Sequence, residues 1–260
     1  MTANDVDIPG LKEILWHKMR NDLMCYIPEV ANTDLLMCPT CCRFLPFEQF
    51  DIEHVIPQQS LDDDPPEVRT AIPRNERSVI ILLCQKRFLI NGKKLYDNGC
   101  NSWKGRYYDK FLREIFNTRA MKKNNFTSRH HVSLFNAGYL GLFAKYGFQI
   151  TLIPSGLIMR QQFFNPNKFV RNVPAKCQMA LMGEPHGMYD EQTARYWVPP
   201  FKFLIESRVS TIWLSEMPAC SCRFRVILKS HLLESCHLLP QNICSGRISK
   251  RSSIKLLSHL

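Results

Sequence analysis

Four cysteines fall into two groups whose spacing suits a single metal ion. Cys38-Pro39-Thr40-Cys41 offers two thiols from one turn, and Cys84 and Cys100 follow further along. A tetrahedral zinc site takes four thiolates at about 2.3 Å per Zn–S bond. Cys42, beside Cys41, is an alternative ligand at that corner. Between the two groups the chain reads Asp51-Ile52-Glu53-His54-Val55-Ile56-Pro57. A carboxylate directly before a histidine makes a hard-cation ligand the neighbour of a group that exchanges protons near neutral pH. A lone histidine is more often structural, and the adjoining acid is what raises the catalytic reading. Asn101 follows Cys100 where a helix begins, as a second oxygen ligand or simply as the helix cap that asparagine favours. Lys104, one turn on, can face a phosphate from the same helix end, and Arg106 adds a second cation.

These residues need elements to bring them together. The segment 78–84 (SVIILLC) reads as a β-branched strand, and 44–57 reads as extended and broken by prolines. Asn91-Gly92 is a strong two-residue hairpin signal. A turn there pairs positions whose numbers sum to 183, which sets Cys84 opposite Gly99 and so beside Cys100. From 101 to 120 the pattern predicts a helix, with Trp103, Tyr107, Phe111 and Ile115 as its apolar stripe and Arg106, Lys110 and Arg113 off it. Further helices are predicted over 10–23 and over 132–146, the second ending at Gly147. Residues 60–76 read as a polar loop, its Asp62-Asp63-Asp64 triplet solvated and not metal-binding. FQITLI, LIMRQQFF, FKFLIES and CRFRVILK read as strands of a C-terminal α+β region.

The 260 residues carry a net charge of +11, spread very unevenly. Residues 1–76 hold 6 Lys and Arg against 14 Asp and Glu, whereas 77–130 hold 13 against 3. Such a block is either a solvated face or a surface that neutralises phosphates. The 11 cysteines are an odd number in a long chain, and the polar start MTANDVDIPG lacks a signal layout. Both point to a reducing, cytoplasmic setting where clustered cysteines bind metal. No apolar run approaches the ~20 residues of a membrane span.

The order of these motifs resembles the HNH endonucleases of the ββα-metal class. That family sets two cysteine knuckles around an acid-His-x-x-Pro element, a central Asn, and a Cys-(His/Asn)-x-x-Lys that opens the closing helix. The resemblance covers residues 36–116 and implies an α+β fold: a ββα-metal nuclease core with a structural zinc, plus a C-terminal region rich in helix and strand. It departs from the family at three points. A hairpin interrupts the second knuckle; the last motif residue is Asn101 where many members have His; and Val79 and Ser78 occupy the usual place of the central Asn, leaving Asn75 as the nearest candidate. The implied organisation is an N-terminal helical segment (1–35), the nuclease domain (36–125), an α+β region (126–232) and a basic tail (233–260).

By position the resemblance assigns His54 as general base and Asn75 as its catalytic companion. Glu53 and Asn101 become ligands of a catalytic Mg²⁺ or Mn²⁺, Cys38, Cys41, Cys84 and Cys100 the zinc ligands, and Lys104 and Arg106 nucleic-acid contacts. The activity implied is metal-dependent hydrolysis of DNA phosphodiester bonds, of the kind that serves in restriction or phage defence. The competing reading is a zinc-stabilised, non-catalytic nucleic-acid-binding module. A structural zinc protein without a nucleic-acid partner fits the basic half poorly.

Overall fold

The computed structural model describes residues 10–168, apart from 64–65, 86–87, 91–92, 97–98, 117–126 and 153, together with four strands between 175 and 228. Helix α1 (Leu11–Met24) buries Leu15, Trp16, Met19 and Leu23 at helical spacing. Ile14 is 58% exposed, and Trp16 packs edge-on against Phe47 and Phe50 at 5.4 Å from each. A short hairpin, β1 (Leu35–Met37) with β2 (Phe44–Pro46), carries the first cysteines in its loop.

The central feature is a two-stranded antiparallel ribbon. β3 (Phe50–His54) pairs with β4 (Ile80–Cys84), Phe50 opposite Cys84 and His54 opposite Ile80. The pairing continues past its ends, with Val55 N donating to Val79 O at 2.9 Å and Gln85 N to Gln49 O at 2.8 Å. The segment expected to be a polar loop is instead helical over much of its length. It holds a 3₁₀ turn (Gln58–Asp63), α2 (Pro66–Ala71) and α3 (Arg74–Ser78). Proline explains the error: Pro66 and Pro73 break an extended chain, yet proline is also favourable at a helix start. Arg77, almost fully buried, ties the segment down by donating to Ile72 O and Leu61 O.

The predicted hairpin forms, β5 (Phe88–Ile90) against β6 (Lys93–Tyr96), although its Asn-Gly turn lies outside the described residues. Its register slips between Phe88 and Leu89, so the pairing sum of 183 holds only for the inner pairs. After β6 the chain enters α4 (Gly99–Lys104), a π-helical turn (Gly105–Asp109) and α5 (Lys110–Phe116). The buried face is set from its first member, where Lys104 turns inward to Glu53 and Asp109. That face is Lys104, Tyr108, Leu112 and Ile115, in place of the expected Trp103, Tyr107, Phe111 and Ile115. Trp103 and Tyr107 lie partly buried against each other, ring centroids 4.1 Å apart.

α6 (Ser128–Tyr146) starts four residues earlier than expected because Thr127 and His130 form a capping box. It is buried on nearly every side. The strands expected at FQITLI and LIMRQQFF are overturned, for both segments are helices: α7 (Phe148–Leu152) and α8 (Pro154–Phe163). Their β-branched residues suggest strand, but Gly147 (φ +70°) and Pro154 bracket them as short helices packed on α6. Gly156 permits the packing, since a Cβ there would lie 2.1 Å from Ile150 O. FKFLIES and CRFRVILK are strands as expected: β8 (Lys202–Glu206) and β10 (Cys222–Leu228) join β7 (Ala175–Leu181) and β9 (Thr211–Met217) in an antiparallel sheet of order β7-β10-β9-β8. The class is therefore α+β. The tail from 233 lies outside the described residues. No helix among the described residues is long and apolar enough to cross a membrane.

Candidate metal centre and the adjoining ribbon site

The loop of the β1–β2 hairpin is tight. Cys38 N donates to Arg43 O and Cys42 N to Cys38 O, both at 2.9 Å, and Cys42 adopts a left-handed φ of +56°. This turns the Cys38 and Cys41 thiols to one side. Cys84 ends β4, and Cys100 lies in the first turn of α4. Gly99 brings the last two together. Its φ is +80°, and a Cβ there would sit 2.4 Å from Cys84 O and 2.7 Å from the Gln85 carbonyl carbon. Only a residue without a side chain lets the helix start this close to the strand end.

The four sulfurs of Cys38, Cys41, Cys84 and Cys100 lie within 4.8 Å of one another, those of Cys41 and Cys84 at 3.6 Å. A tetrahedral ion with sulfur bonds of about 2.3 Å holds its sulfurs about 3.8 Å apart, so the cluster fits. Cys38, Cys84 and Cys100 are fully buried. Burial opposes ionisation of Cys38, but hydrogen bonds from the Cys100, Cys41 and Cys84 thiols outweigh it and hold its thiol well below the ordinary value. Burial, together with those same hydrogen bonds, drives Cys100 well up. Four thiols packed this closely resist ionising together. A divalent cation at the centre would let all four ionise. Cys42 does not belong to this group: burial pushes its thiol up to about 11, and its sulfur accepts from the Arg160 guanidinium.

The ribbon carries the second set of candidates, on strand β3. His54 Nε2 lies 3.1 Å from Asn75 Oδ1 and 2.9 Å from Gln58 Nε2. Protonated, it donates to Asn75; unprotonated, it accepts from Gln58. The structure therefore brings Asn75 onto His54 despite its offset in sequence. The turn responsible is at Val79, a β-branched residue at φ +56°, which reverses the chain between α3 and β4. Such a conformation is costly for valine and persists only where surrounding structure enforces it.

Glu53 points the other way along the strand's alternation and is only 6% exposed. Its Oε1 lies 2.7 Å from Lys104 Nζ. That ammonium also donates to Asp109 Oδ1 at 2.7 Å and to His54 O at 2.9 Å. The sequence reading puts Lys104 on a phosphate; the structure instead buries it, its side chain 1% exposed, with all three N–H donors engaged inside the protein. Burial raises Glu53 to about 7, against the pull of Lys104. Burial would lower Lys104, but the charges of Glu53 and Asp109 win and raise it. Asn101, one turn earlier, donates from Nδ2 to Ile52 O at 3.3 Å. Asn101 and Lys104 thus clip α4 across β3 at successive positions. Arg106 is exposed.

Two participants escaped the sequence reading. Gln58 lies four residues past His54, beyond a proline that gives no reason to bring it back. Asp109 is five residues from Lys104, a spacing that meets in a π turn but not in an α-helix. Among the described residues, the four thiols are the one group of three or more Cys, His, Asp and Glu gathered closely enough to hold a metal ion. Glu53 and the Asn101 amide oxygen are oxygen donors, but too few to enclose a hard cation unaided. Mg²⁺ sites are often of this kind, completed by substrate phosphate and water.

Replacing Lys104 with methionine keeps most of its volume and strands the Glu53 carboxylate. Removing one partner of a buried pair typically costs ~3–5 kcal/mol, and we expect that loss in urea unfolding of Lys104→Met. The double variant Lys104→Met/Glu53→Gln should recover much of it. A loss under ~1 kcal/mol in the single variant would mean the pair is not closed to water.

Comparison of the chain with protein-family models gives no match, and comparisons with curated proteins and with solved structures give none either.

Proposed function

We propose that this chain is a metal-dependent endonuclease of the HNH type that hydrolyses DNA phosphodiester bonds, stabilised by zinc on Cys38, Cys41, Cys84 and Cys100. The observation that carries the reading is one arrangement: His54, held by Asn75, and the oxygen donors Glu53 and Asn101 lie on a strand pair and helix pinned at one end by the four thiols. Zinc is the choice for the cluster because four thiolates in tetrahedral disposition suit it best. Hydrolysis of a phosphodiester needs an activated water and relief of charge on the phosphate. His54 is the group to take the water's proton, since imidazole titrates near neutral pH. Asn75 and Gln58 fix the ring through Nε2. Glu53 and Asn101 would hold Mg²⁺ or Mn²⁺, whose part is to polarise the scissile phosphate and stabilise the leaving oxygen. Lys104 favours the ionised form of Glu53 against the burial that opposes it, and anchors the His54 backbone.

The second reading, a zinc-stabilised nucleic-acid-binding module without catalysis, is favoured by one observation: the carboxylate of Glu53 is engaged by Lys104. Plasmid nicking separates the two. With Mg²⁺ or Mn²⁺ the wild type should convert supercoiled DNA to nicked circles, and His54→Ala should do so ~10²–10⁴-fold more slowly. Zinc content and DNA affinity should be unchanged. A wild type that binds DNA but never cuts it with either ion would establish the binding module instead.

A further inference from the structure

The helical run from Cys100 to Phe116 sorts its charges by sign. Each of its two acids has a partner inside the protein: Asp109 accepts from Lys104 at 2.7 Å, and Glu114 accepts from His130 Nε2 at 2.8 Å. Its other cations point outward. Arg106, Lys110 and Arg113 are exposed, whereas Lys104, Tyr108, Leu112 and Ile115 are buried on the opposite side. Arg129, exposed in the first turn of α6, sets its guanidinium 5.7 Å over the ring of Phe111 and so extends the same cationic flank. No carboxylate pairs with Lys110, Arg113 or Arg129 among the described residues. The outer face of this helix is thus rich in cations, with Arg106, Lys110 and Arg113 along it and Arg129 beside it.

We propose that this face is a track for the phosphate backbone of duplex DNA, running from Arg106 to Arg113. The choice of DNA rests on the nuclease reading. The face itself argues for a polyphosphate and against a lipid surface. A membrane-binding helix needs large apolar side chains beside its cations, and the exposed large hydrophobic residues among those described, Ile14 and Phe44, lie elsewhere. Geometry sets the length of the track. From Arg106 to Arg113 is 7 residues, about 10 Å at about 1.5 Å per residue, which spans about three base-pair steps of about 3.4 Å. Such contacts would grip the backbone without reading sequence.

The test is equilibrium binding of a fluorescent 30-base-pair duplex without divalent ions, from 50 to 200 mM salt. Lys110→Glu/Arg113→Glu should weaken binding at least tenfold at the lower salt. Lys110→Gln/Arg113→Gln should flatten the log–log salt slope by about two units, one per lost phosphate contact. Zinc content and melting temperature should match the wild type in both. Lys18→Glu on α1, an equal change of charge elsewhere, should leave the slope unaltered. Unchanged slopes in a wild type that does bind DNA would overturn the track and leave the nuclease reading standing. A wild type that ignores the duplex but binds anionic phosphatidylserine vesicles or an acidic polypeptide through Lys110 and Arg113 would overturn the choice of DNA.

Discussion

Cys84→Ser should emerge from purification without its metal and largely unfolded. The four thiols converge from one hairpin loop, the end of β4 and the start of a helix, and a bound ion would tie the three together. Structural zinc contributes apparent binding energies of ~10–16 kcal/mol, whereas whole domains are stable by only about 5–15 kcal/mol. Loss of one thiolate should thus remove most of the margin. Elemental analysis should fall from about one zinc per chain to a small fraction of that, and the cooperative thermal transition should vanish. Cys100→Ser should behave alike. Cys42→Ser should keep its zinc, because the Cys42 sulfur faces Arg160 and not the cluster. A metal-free wild type with a normal transition would refute the zinc assignment outright.

Gly99→Ala is expected to be nearly as damaging, although it adds a single methyl group. The residue is left-handed, and the new Cβ would press into the backbone of Cys84 and Gln85. Neither neighbour is the free end of a side chain, so α4 must tilt away from β4 or the backbone must change region. The left-handed conformation alone costs an alanine roughly 1–2 kcal/mol, and the displacement would part Cys100 from Cys84. We expect destabilisation of several kcal/mol in chemical unfolding and weaker zinc retention against a chelator. The second readout matters, since mere helix strain would leave the metal in place. Retention equal to wild type would mean the strand end moves as readily as the helix.

The thiol centre was legible in the chain because its signals are local. A Cys-x-x-Cys defines one pair by itself, and an Asn-Gly turn returns Cys100 to Cys84 by counting. The slipped register at Phe88 did not spoil that count, as Gly99 still meets Cys84. What stayed hidden depends on phase or on tertiary pairing. Lys104 reads as a surface cation because lysine usually is one; only the nearness of Glu53 and Asp109 makes its burial favourable. The π turn that brings Asp109 round leaves no composition signal. FQITLI has strand propensity, and packing on α6 overrode it. Asn75 was named from its neighbourhood, but its contact with His54 depends on the strained turn at Val79, where no glycine advertises it.

The β5–β6 hairpin leaves the body of the protein at Cys84 and comes back at Gly99, where the backbones nearly touch. It is a detour whose entrance and exit coincide. Closing a longer detour between two points already held together costs little, only about 0.6 kcal/mol for each doubling of length. A metal held by the four thiols would thus make the chain tolerant of material inserted between Cys84 and Cys100. An HNH-like order of residues can in this way survive an interruption that would sever a compact Cys-x-x-Cys. The same anchorage makes this junction the natural place for the protein to vary in size, or to accept a grafted peptide, without disturbing His54.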